Sequence, residues 1–157
     1  MTLQRWSMED LVAMREKTSM RKSLSEILQL VDEAKTKQEK VDLLRQYDSP
    51  ALRGIILACY DPNLKWLLPA GTPSYKPSNL TDIEGRLYNE VKHLYLFVEG
   101  GNPNLSAPKR QNIFIQMLES VTPNDAKLLI GCKDRKMPYK SVTKKLVDEA
   151  FPGLIPA

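Results

Sequence analysis

Ile83, Leu87, Val91, Leu94 and Val98 advance by 4, 4, 3 and 4 residues, the spacing of one apolar face of a long helix. The same period recurs in Leu24, Ile27, Leu28 and Val31, in Leu52, Ile55, Ile56 and Cys59, in Phe114, Met117, Leu118 and Val121, and in Val142, Leu146, Val147 and Ala150. Strand-like alternation of useful length is absent. Helix starts are marked independently. Ser7–Asp10, Ser23–Glu26, Thr36–Glu39 and Thr81–Glu84 each pair a hydroxyl with an acid near the third following position, the pattern of a capping box. Ser49-Pro50 and Thr122-Pro123 put proline where a first-turn N–H has no partner to lose. These marks predict starts near residues 7, 23, 36, 49, 81, 107, 122 and 141. The expectation is a compact all-α domain of about eight helices.

Two stretches break the pattern. Asp61–Leu80 holds Pro62, Pro69, Gly71, Pro73 and Pro77, which neither a helix nor a central strand absorbs. It reads as a long loop of the kind that carries function. Glu99–Ala107 is a glycine-asparagine turn that ends the long helix.

The 157 residues, 42% hydrophobic and 27% charged, suit a single globular domain with a real core. No apolar run approaches a membrane span, and the first residues lack the apolar core of a secretory signal. Two widely separated cysteines suit a reduced, cytoplasmic setting. The formal charge of +4 is distributed unevenly. Basic and acidic residues balance nine to nine through residue 48 and five to five through residue 100. Residues 101–157 carry nine basic against five acidic, and all nine fall within Asn104–Lys145 against only Glu119, Asp125 and Asp134. That stretch is a candidate footprint for a polyanion.

The inventory for catalysis is thin. His93, the single histidine, sits off its helix's apolar stripe with nothing nearby to complete a triad or metal site. Cys59 lies on an apolar stripe and reads as a buried thiol; Cys132, at a helix end, has room to be semi-exposed beside Lys133, with a reactive thiol the minor reading. No phosphate-cradling glycine loop occurs, and adjacent acids such as Asp32-Glu33 point apart on a helix. The chain therefore reads as a non-enzyme, with no catalytic residue, no metal ligand and no cofactor.

The positive feature is Gly131–Ser141, where Lys133, Arg135, Lys136 and Lys140 crowd a helical connection with Tyr139. Lysines supply point charges, arginine a fork and tyrosine a plate, which suits contact with a duplex backbone. The expected helix start at Ser141 offers free N–H groups to a phosphate, with Lys144 on its first turn. The competing reading is a solvated loop with Tyr139 tucked into the core.

Thr122–Pro156 resembles the end of the N-terminal, all-helical DNA-binding domain of ATP-dependent DNA ligases, of the T-even bacteriophage type. The most specific piece is Phe151-Pro152-Gly153-Leu154-Ile155-Pro156, preceded by a helix with paired leucines, a basic loop and a short helix. Ser23–Asp48 and Ser49–Pro69 are similar to the opening hairpin and third helix of that template. The resemblance covers residues 23–157 and leaves residues 1–22 as an N-terminal helical extension. It implies a helical fold, a phage source acting in the host cytoplasm, and a surface for double-stranded DNA. By position that surface is Lys133–Ser141, with Lys109 and Arg110 beside it. The lysine-x-aspartate-glycine motif of adenylation is absent from these residues, so ligation and ATP use are not implied.

In the extension, Ser7–Lys17 is amphipathic, with Met8, Leu11 and Val12 on one side and Trp6 before them. Trp6 is expected to staple this helix to the body or, alternatively, to form a docking surface. A second function class stays open: an adaptor or inhibitor that binds a replication, transcription or host defence protein. The N-terminal helix and the 61–80 loop are its candidate contact surfaces.

Overall fold

The computed structural model describes residues 22–156. Its helices are α1 Leu24–Glu33, α2 Lys37–Gln46, α3 Pro50–Tyr60, α4 Arg86–Glu90, a 3-10 helix Val91–Phe97, α5 Ala107–Ser120, α6 Pro123–Lys133 and α7 Lys144–Ala150. Among the described residues there is no strand, only one antiparallel bridge between Trp66 and Val98. The all-helical expectation holds. The helix expected at Ser7–Lys17, with Trp6, lies outside the described residues.

Side-chain caps start six of the seven α-helices. Ser23, Thr36, Ser49, Ser106, Thr122 and Thr143 each accept from the backbone N–H three residues on. The apolar stripes become one core, with α3 packed on α6, α1 on α2 and α6, and α7 on α2. Phe97 and Phe114 meet edge to face in it at 5.2 Å between centroids. Phe151 is buried beneath the Arg53 guanidinium, which sits 4.8 Å above its ring, and Ile155 is buried beside the core.

Two predicted helices differ. The helix expected at Thr81 begins at Arg86 instead, because Asp82 adopts a left-handed φ of 59° and Gly85 caps without a side chain. Its second half narrows to the 3-10 form, where Val91, Leu94 and Phe97 recur every three residues, the period of that helix. The last helix starts at Lys144 rather than Ser141, with Thr143 as its cap. Ser141 is held in the preceding turn by Asp32, whose carboxylate accepts from its backbone N–H at 2.9 Å.

Candidate nucleic-acid interface

The basic segment splits into cations turned inward and cations turned outward. Lys133 ends α6 with its side chain 2% exposed. Its ammonium donates to the Pro69 and Gly71 carbonyls, each at 2.8 Å, and to Asp134 Oδ1 at 2.6 Å. Asp134 in turn accepts from the Gly71 N–H. The pair straps the proline-rich 61–80 loop to α6. Lys133 therefore cannot meet a phosphate in this fold, a correction to its expected role.

Arg135 follows in the left-handed region, φ 60°. Its guanidinium donates to the Ala58 and Asp61 carbonyls and so closes the C-terminus of α3, where a cation also complements the helix dipole. Arg110 is buried and donates to the Leu96 and Leu105 carbonyls at 3.1 and 2.9 Å, tying the Glu99–Ala107 turn to α5. Both arginines were expected on the DNA surface. Both spend their forks on backbone carbonyls at helix ends and in the adjoining turns.

Ser141 and Tyr139 are likewise structural. The Ser141 hydroxyl bonds Asp32 and accepts from the Lys40 ammonium at 3.1 Å. The Ser141 hydroxyl and then its N–H hold the Asp32 carboxyl below the usual carboxylate range, with Lys40 adding attraction. Tyr139 is half-buried near Ser25 and Asp125; burial and then the Asp125 charge push its phenol up. The tucked-in reading of Tyr139 is the one the geometry favours.

Lys136, Lys140, Lys144 and Lys109 are exposed. Lys144 makes only a 3.9 Å surface pair with Asp148, worth little. The first three share one segment with the exposed Lys145, and that segment joins two clefts. At one end, Lys136 and Lys65 rim a cleft of about 490 Å³ walled by Leu64, Trp66 and Leu68. At the other, Lys145, Lys37 and Lys40 surround Thr143 and Ser141 in a cleft of about 330 Å³. Lys109 stands on the first turn of α5 and lines neither of these clefts.

Lys65, Trp66 and Lys37 are residues that sequence reasoning missed. They belong to segments brought in by tertiary packing, and no local signal marks them.

Among the described residues no group of three or more His, Cys, Asp or Glu is arranged to hold a metal ion. Both cysteines are buried and free, so the semi-exposed position open to Cys132 is not the one it takes. It hydrogen-bonds Cys59 and faces the Ile55 carbonyl at 3.6 Å; that bond and burial raise its thiol well above the ordinary value. No helix among the described residues is long and apolar enough to cross a membrane.

No curated protein and no solved structure matches the chain. A family model does match, over residues 27–139, spanning α1 through the basic turn at Tyr139. By that match the chain belongs to a family of unknown function, DUF6433.

Proposed function

We propose that this protein is a non-enzymatic double-stranded DNA-binding protein that holds backbone phosphates with the exposed lysines of its C-terminal third. The reading rests on how charge is sorted between interior and surface. Of the nine cations in Asn104–Lys145, the six lysines 109, 127, 136, 140, 144 and 145 are exposed. Of the three acids there, Asp125 is buried, Asp134 is bound to Lys133, and only Glu119 is exposed. Six exposed lysines against one exposed carboxylate keep nearly the whole local charge at the surface. The likeness to the ligase DNA-binding domain adds support, and with it a phage source and action in the host cytoplasm.

Four phosphate contacts, from Lys136, Lys140, Lys144 and Lys145, give a log–log salt slope of about −3.6 for duplex DNA. Affinity then falls about a hundredfold between roughly 50 and 200 mM salt, with little dependence on base sequence. Anisotropy titrations of a labelled duplex measure it. A slope near zero, or unchanged affinity after Lys136, Lys140 and Lys144 are all replaced by glutamate, refutes the assignment.

One observation favours the adaptor alternative. Leu67 and Tyr95 are 37% and 51% exposed, and Tyr95 lines an apolar cleft with Leu57, Trp66 and Val91. A protein partner would bury these residues, and its binding would be insensitive to the glutamate substitutions.

A further inference from the structure

We propose that the cleft between the 61–80 loop and the Lys133–Lys136 turn is a nucleotide subsite. It takes an unpaired base at a duplex end beside Trp66, and the attached phosphate against Lys65 and Lys136. The inference rests on the duplex reading above and names the DNA feature that this reading leaves open.

The cleft's size, about 490 Å³, falls within the range of small-ligand sites. Its wall is divided as a nucleotide is divided. Leu64, Trp66, Leu68 and Ala70 offer an aromatic and apolar side for a base. Two exposed ammonium groups offer a cationic side for a phosphate: Lys136, and Lys65, whose 3.9 Å pair with Glu99 lies in solvent and exchanges readily. The other charges at the cleft are already spent, since Lys133 neutralises Asp134 and Arg135 is bonded to carbonyls.

Trp66 is set in advance. Its Nε1–H donates to the Ala58 carbonyl at 3.1 Å, and its ring lies within 9° of parallel to Phe97 at 6.5 Å. On either side of it the backbone is bonded to the end of the 3-10 helix, Leu67 N–H to Phe97 and Glu99 N–H to Lys65. The Lys133 strap fixes the next stretch of the same loop. An aromatic side chain held from three directions loses little freedom when a base packs on it, and base–aromatic stacking tolerates any base.

The chain's two tryptophans are Trp6 and Trp66, so the Trp6→Phe variant of the full chain reports Trp66 fluorescence alone. Three probes are titrated: a blunt duplex, the same duplex with one unpaired 3′ adenosine, and dAMP. The expected result is quenching by the overhang duplex and not by the blunt one, with about tenfold tighter binding of the overhang. Lys65→Ala should reduce that preference. Trp66→Phe should reduce it too, with circular dichroism confirming the fold. Equal binding of both duplexes without quenching overturns the subsite and leaves the duplex reading intact. If neither duplex binds, the duplex reading fails and dAMP decides the cleft. Quenching that Lys65→Ala weakens supports a nucleotide site, and no quenching overturns it.

Discussion

Lys133→Met separates the two roles a lysine in this segment can have. Methionine keeps most of the aliphatic length and removes three hydrogen bonds from the ammonium: to Pro69, to Gly71 and to Asp134. Hydrogen bonds to a charged group contribute about 1.5–3 kcal/mol each, but burying the ammonium also costs, and methionine is spared that cost. Asp134 is 20% exposed, so water partly replaces its lost partner. A net loss of about 3 kcal/mol follows, which for a chain of this length lowers Tm by roughly 6–12 °C. Circular dichroism melts measure the first effect. Anisotropy titrations, run well below the variant's Tm, measure the second: the salt slope should equal that of the unaltered protein, because this ammonium does not reach solvent. Lys136→Ala should do the reverse, leaving Tm in place and reducing the slope by about one unit. A Lys133→Met protein with an unchanged Tm and a shallower slope would refute the assignment of Lys133 as a strap.

Periodicity and caps made most of the fold legible, and the reason shows in α1, α2, α3, α5 and α6. There the local capping hydroxyl and the buried stripe agree, so local and tertiary preferences point the same way. Agreement failed at residues 81–85. The capping-box letters are present, yet Asp82 sits in a left-handed turn and the apolar spacing of three that follows belongs to a 3-10 helix. The candidate interface was half legible for a related reason. Composition shows that charge is concentrated in the C-terminal third, but whether a cation faces water depends on which carbonyls lie within its reach. Lys133 and Arg135 find theirs in Pro69, Gly71, Ala58 and Asp61, more than sixty positions earlier in sequence. Lys136, three positions after Lys133 and one after Arg135, finds none and stays outside. No sequence window of ordinary length contains that information, and the same holds for Lys65, whose segment is set beside the cleft by bonds to residues 97–99 and by the Lys133 strap.

Gly131→Ala should destabilise the basic turn, since a Cβ there would stand 2.6 Å from the Lys136 carbonyl oxygen and 2.7 Å from the Pro138 ring. Overpacking of this kind costs about 1–3 kcal/mol, and an unchanged urea midpoint would show that the turn yields freely. Phe151→Ala should cost about 3–5 kcal/mol by opening a cavity under Arg53 and over the α7 packing. A cost near zero would detach the C-terminal tail from the core. The last prediction concerns pH and Asp32→Asn. Because Ser141 and Lys40 hold the folded Asp32 carboxyl below its usual value, ionised Asp32 stabilises the folded state above the unfolded carboxylate pKa. That contribution disappears as pH falls through the lowered folded value. Asparagine lacks the charge at every pH, and its amide is a poorer acceptor for the Ser141 N–H and hydroxyl. The variant should therefore be less stable than the parent at neutral pH, and the gap should narrow on acidification towards about pH 3. Asp125 works in the opposite direction, since burial raises its pKa and its ionisation opposes folding, so the parent's overall acid profile mixes both signs. The difference between parent and Asp32→Asn cancels the Asp125 contribution, which both proteins share. Urea midpoints of the two across that pH range give the gap directly. A gap that stays constant, or widens as acid is added, would mean that the Asp32–Ser141 bond does not fix the turn from which the exposed lysines project.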